Sequence, residues 1–205
     1  MPLQNRVDPF GAIHAVPDHG LFMGNRGGCF HRPDQTLKPR QWTSQRWIIC
    51  LLDFKGRKRA LMQPGLYTEL FFLDEATALA SGHRPCYECR RTDALAFRAA
   101  LETAEILPAS DSIIAVDALV AGEIQSVMKD QSVRETVDLA HLPDGAIFAS
   151  GGQAFLKQGN TARPWSFAGY GAPAPLPRQA TRLTPQATCA ALAAGYVPTL
   201  HTTAA

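Results

Sequence analysis

The sequence contains no run of about eighteen consecutive apolar residues, the length a helix needs to cross the hydrocarbon of a bilayer. No segment is therefore expected to span a membrane. The N-terminal stretch MPLQNRVDPFGAIHAVPDHG lacks the charged, then apolar, then small-residue order of a secretory leader, so the expected location is cytoplasmic. No internal repeat is found. A Ser-His-Asp signature, a paired-carboxylate motif and a dinucleotide-binding loop are all missing. The glycines around Asn25 to Gly28 could wrap an anion with backbone amides, but they lack the Walker pattern and follow no clear strand. The chain thus gives no signal for several common reaction classes, and its enzymatic status stays open.

What is present is modest in size. The 205 residues, 46% hydrophobic and 19% charged, suffice for one ordinary domain or two small ones sharing a core. Charge is unevenly placed. Residues 1–100 carry 14 Lys/Arg against 9 Asp/Glu, and residues 101–205 carry 6 against 9. A basic half is a footprint that nucleic acid can use, although a net charge of +2 also fits an ordinary solvated face. The five cysteines are an odd number. A reducing cytosol disfavours disulfides, and a C-x-x-C pair there points to metal binding or redox chemistry.

The pattern predicts an α+β fold in two parts. Residues 1–107 form a basic region with a small antiparallel sheet, short helices and a zinc knuckle. Residues 108–205 add a helix, a β-meander and a C-terminal helix packed on it. Residues 1–20 read as a loose lead-in, and the Gly-, Pro- and Arg-rich stretch after them as a long ordered loop. Arg46–Phe54 is a short apolar run and reads as a buried strand. The KGRKR stretch is a turn, Ala60–Gln63 the return strand, and Leu66–Leu73 a third strand. Asp74 caps a helix that stops at Gly82. A second helix, capped by Thr92 or Asp93, runs to Leu107, and a third begins near Asp117. Gly151-Gly152 suits a tight hairpin turn. GAPAPLPRQA reads as a stiff connector, and Thr184-Pro185 as the start of a last helix.

The chemistry concentrates in FFLDEATALASGHRPCYECRR, residues 71–91. Cys86 and Cys89 sit at C-x-x-C spacing, which lets both sulfurs face one ion while turn amides donate to them. Zinc in a structural site takes four ligands, so the pair alone is half a site. A redox pair usually starts a helix after a strand in a βαβ unit. Here a helix precedes the pair and the strands read as antiparallel, which favours Zn2+. Residues 67–93 resemble the second half of the metal-binding domain of the Ada family, which repairs methylated DNA phosphates. The resemblance rests on Phe71-Phe72, the Ala-rich helix ending at Gly82, then His83, Arg84, Pro85, Cys86, Cys89 and Arg90. It implies that Cys86 and Cys89 are zinc ligands and that DNA is the partner. The family draws its other two ligands from an upstream C-x-x-x-C, whose first Cys is the methyl acceptor. This chain has no Cys or His between Cys50 and His83. The remaining ligands must come from Cys50, from Cys29 and from His31, and four thiolates are not assured. The resemblance therefore favours a structural zinc over methyl transfer.

The expected function is zinc-dependent DNA binding, in repair or in sensing alkylation damage. Arg84, Arg90, Arg91, Lys55, Arg57, Lys58 and Arg59 are the expected phosphate contacts, since guanidinium forks match phosphate oxygens. Two other classes stand beside it. One is an enzyme, with Cys50 or Cys29 as methyl acceptor or with a substrate held near the loop from Asn25 to His31. The other is a zinc-stabilised protein-interaction module. His83 reads as a surface residue or one supporting a ligand. Trp165, Phe167 and Tyr170 read as core rather than as a base-stacking platform, Cys189 as buried and inert, and His14, His19 and Asp18 as a weak second cluster. Asp117 and Glu123 carry no assigned role.

Overall fold

Two β-sheets meet around a short, wholly buried helix in the computed structural model, which describes residues 1–56 and 60–205. The first sheet uses β1 (Arg6–Val7), β2 (Ile13–His14), β3 (Phe22–Arg26), β4 (Trp47–Leu51), β5 (Leu70–Phe72) and β6 (Arg84–Pro85) in the order β2-β1-β5-β3-β4-β6. Helices α1 (Glu75–Ala80), α2 (Arg91–Thr103) and α3 (Ile113–Lys129) follow within and after it. The second sheet is built from β7 (Thr136–Asp138), β8 (Ile147–Ser150), β9 (Gln153–Gln158), β10 (Thr161–Ser166), β11 (Gly169–Tyr170), β12 (Ala174–Pro175) and β13 (Gln179–Arg182). Its order is β11-β10-β9-β8-β13-β7, with β12 beside β10, and α4 (Gln186–Ala193) closes the fold. The architecture is α+β, as expected.

Alternation explains the first sheet. In β3, β4 and β5 every second residue is buried. Phe22, Trp47, Ile49, Leu70 and Phe72 point to the core, while Met23, Asn25, Ile48, Cys50 and Phe71 face the other way. That second face becomes the candidate site.

All six residues of α1 are buried. Asp74 caps it, accepting from Thr77 N–H at 2.9 Å and from Thr77 Oγ1 at 2.8 Å. The same carboxylate accepts from Tyr170 OH at 2.9 Å. Glu75 accepts from Tyr196 OH, and its other oxygen accepts from Arg90 at 2.9 Å and from Thr199 N–H at 2.9 Å. Trp165 and Tyr170 pack with Leu73, Ala76 and Ala80 in one apolar cluster, so these aromatics are core. A larger cluster joins Phe72, Leu79 and Phe97 to Val120, Phe148 and Ala191.

Several local expectations change. Residues 1–20 hold the β1–β2 hairpin, in which Asp8 accepts from Ala12 N–H at 2.9 Å. The partner of β4 is β3, because Ala60–Gln63 form no strand. Met62 there takes φ 51°, and Pro64-Gly65 follow in a turn. The third strand shortens to Leu70–Phe72: Thr68 N–H donates to the Gly28 carbonyl, and the side chains of Thr68 and Glu69 accept from Phe30 N–H and Met62 N–H. The α2 helix starts at Arg91 without a side-chain cap. The knuckle has already turned helical there, with Arg90 N–H donating to the Cys86 carbonyl and Ala94 N–H to that of Arg90. The α3 helix begins at Ile113, ahead of Asp117. The proline-rich connector supplies β12 and β13. Thr184 Oγ1 accepts from Ile147 N–H instead of capping α4. The β8–β9 hairpin turns at Gly151-Gly152, both with positive φ, as expected.

Candidate metal centre

The C-x-x-C knuckle is carried by β6, which lies parallel to β4 with Ile48 opposite Arg84 and Ile49 opposite Pro85. Cys86 N–H donates to the Ile49 carbonyl at 3.0 Å. This extends the register by one step and sets Cys86 beside Cys50. The turn then brings Cys89 back. The three sulfurs lie within 4.8 Å of one another and form a group able to hold a metal ion. Cys86 is buried, and Cys50 and Cys89 are half-buried.

Backbone amides support the sulfurs. Glu88 N–H donates to Cys86 Sγ at 3.4 Å, and further N–H bonds come from Cys89 to Cys86 and from Leu51 to Cys89. The three thiols also hold one another. Hydrogen bonds from Cys50 and Cys89 hold the Cys86 sulfur far below the usual thiol range. Its hydrogen bond to Cys86, the one to Cys89 and burial push Cys50 far above that range. Three sulfurs gathered this closely suit the binding of one cation, because thiolates are the metal-binding form.

The trio borders a cleft of about 510 Å³ on the outward face of the first sheet. Ile48 and Cys50 from β4, Met23 and Asn25 from β3, and Glu69 and Phe71 from the β5 segment form its floor. Leu52, Phe54, Leu61 and Tyr67 from the crossing segments and the knuckle wall it. Glu69 is 1% exposed and holds the wall in place by accepting from Met62 N–H at 2.8 Å.

The other expected ligands fall elsewhere. Cys29 and His31 do not join the trio. Cys29 Sγ lies 3.8 Å from its neighbour's imidazole, and that ring is taken up by Thr68 Oγ1 at 2.8 Å and the Gln63 carbonyl at 3.2 Å. The pair pins the long loop to the β5 segment.

Two expected phosphate contacts are buried and already paired. Arg84 is 4% exposed and meets Asp117 at 2.7 Å. Arg90 is 5% exposed and meets Glu75 at 2.9 Å and Asp93 at 2.8 Å. Their guanidinium groups hold α1, α2 and α3 to the knuckle and do not offer themselves to solvent. Arg91 and Lys55 are exposed. Arg57, Lys58 and Arg59 lie outside the described residues. His83 is fully buried, not at the surface. It packs between Trp47 and Phe72, with Nδ1 3.0 Å from Ser81 Oγ. His14 pairs with Asp8 at 2.8 Å. Asp117, Glu69 and Glu75 carry roles that no sequence pattern marked. For the cleft floor, the period-two alternation of β4 was the available signal.

Comparisons with protein-family models, with curated proteins and with solved structures found no match. Among the described residues no helix is long and apolar enough to cross a membrane. The site thus defines a protein with a three-cysteine cluster able to hold a metal ion at the edge of a cleft.

Proposed function

We propose that Cys50, Cys86 and Cys89 hold one zinc ion and that the protein works through the ligand cleft bordered by that centre. The carrying observation is the meeting of three sulfurs from two separate segments within 4.8 Å at a cleft of about 510 Å³. Small-molecule sites commonly have such volumes and mostly apolar walls. Sulfur donors at this spacing suit zinc. A bound zinc would keep the three thiols deprotonated and act as a Lewis acid toward whatever donor reaches it. Zinc sites that keep an open position are the ones that act on ligands, whereas structural sites are closed by four protein donors.

The test is metal content of the purified full chain. About one zinc per chain is expected, lost on Cys50→Ser, Cys86→Ser or Cys89→Ser and retained on Cys29→Ser or His31→Ala. Metal indifferent to the three serine variants overturns the reading.

A second reading, DNA contact in the manner of the Ada-like knuckle, is favoured by one observation: exposed Arg91 directly follows the knuckle, and exposed Lys55 follows the cleft-wall residue Phe54. It requires DNA affinity that falls steeply with salt and weakens on Arg91→Ala.

A further inference from the structure

The donor count carries the centre one step further, resting on the zinc reading above. The residues outside the description are Arg57, Lys58 and Arg59, none of them an ordinary zinc ligand. Among the described residues, the group able to hold a metal ion consists of three sulfurs, those of Cys50, Cys86 and Cys89. A tetrahedral zinc needs one more donor than the trio provides. All three cysteines line the cleft, so the cleft is the route by which that donor comes.

We infer that the fourth donor is the sulfur of an apolar small-molecule thiol held in this cleft. Three observations select this class. The centre is an all-sulfur set, which selects a thiophilic metal able to take a further thiolate. The walls are chiefly hydrocarbon, with Met23, Ile48, Leu52, Phe54, Leu61 and Phe71 around the trio, so the body of the ligand is apolar. Three thiolates around a divalent cation leave a net negative charge, which opposes an anionic body such as a phosphate ester. A thiol adds only the single negative charge its sulfur acquires on losing its proton, whereas an anionic body would add further charge. Its sulfur–metal bond forms as its S–H bond breaks. The proton leaves to solvent, and any water at the position is displaced. No oxidant or reductant is involved. Leu51 and Leu52, 37% and 50% exposed, form part of the mouth through which the apolar body enters.

The experiment loads the full-length protein with cobalt(II), whose sulfur-to-metal absorption reports the number of bound thiolates. Benzyl mercaptan is then titrated in, with benzyl alcohol and glutathione as comparisons. The expected result is a saturable rise of about one third in that absorption, matching a step from three thiolates to four. Release of about one proton per site should accompany it. Benzyl alcohol should leave the spectrum unchanged, and glutathione should bind at least about tenfold more weakly. Leu52→Glu should weaken benzyl mercaptan about tenfold while leaving the cobalt spectrum of the free protein intact. Absence of a thiolate–cobalt spectrum overturns the metal centre itself. A normal cobalt spectrum that ignores benzyl mercaptan, or responds equally to benzyl alcohol, overturns the thiol inference alone. Equal binding of glutathione overturns its apolar part.

Discussion

Arg84 illustrates how a residue's role depends on what lies across from it. In sequence it flanks a zinc knuckle and suggests phosphate. In the fold it is buried against Asp117, at 33 residues' separation, and no local pattern announces such a pairing. Burial pushes the Asp117 carboxyl up, and Arg84 opposes that shift. Removing one partner of a buried pair leaves a charge without compensation. Arg84→Ala is therefore expected to cost about 3–5 kcal/mol of stability, and Arg91→Ala less than about 0.5 kcal/mol, as read from denaturant midpoints. His83 gives a second expectation. Burial, reinforced by Arg26, holds its pKa well below the ordinary histidine range. The unfolded chain takes up this proton near pH 6.5, whereas the folded chain resists it. The stability His83 allows is thus complete above about pH 6.5 and declines as pH falls below it. Its ring resonances should not titrate between about pH 7.5 and 6, and a normal midpoint near 6.5 would contradict the burial. Among the thiols, spacing exposed Cys86 and Cys89, and Cys50 was a candidate by elimination. The placement of Cys29 and His31 away from the trio needed the third dimension, because the His31 contacts with Thr68 and Gln63 reach across more than thirty residues.

Elements with strong boundary residues were legible. The α1 helix announced itself through Asp74 and Gly82, and the β8–β9 hairpin through paired glycines. The β3 strand did not, because Gly24 and Asn25 are poor strand formers that tertiary packing holds in place. Arg26 is fully buried, with its guanidinium 4.4 Å from the Trp47 ring and one N–H on the Gly11 carbonyl. The converse error is Ala60–Gln63, whose apolar letters form a turn fixed by Glu69. The end of α1 offers a contrast between two glycines of positive φ. A Cβ at Gly82, φ 84°, would meet Ile124 Cγ1 at 2.8 Å, whereas one at Gly151, φ 57°, would meet nothing within 4 Å. Gly82→Ala should therefore lose more than about 1 kcal/mol and clearly exceed Gly151→Ala in the same unfolding assay. Equal losses would mean that the α1–α3 contact is looser than described.

At the scale of the molecule, residues 1–107 and 108–205 share apolar packing, since one cluster contains both Phe72 and Phe148. The joining contacts include the buried carboxylates of Asp74 and Glu75, which accept from Tyr170 OH and Tyr196 OH, and these no local pattern specifies. The sulfur trio sits at the opposite face of the first sheet from that packing. Chelation is therefore expected to lower the melting temperature and to loosen the knuckle first, seen as faster amide exchange at Cys86 to Arg90 than in α1. Parallel pairing of β4 with β6 adds a consequence for how the chain tolerates change. Cys50 reaches its partners only when Ile49 sits opposite Pro85. One inserted residue before Cys50 would keep the strand apolar yet turn that sulfur toward the core. The sulfur trio thus proofreads strand alignment. The few residues from Trp47 to Cys50 therefore admit no change in count.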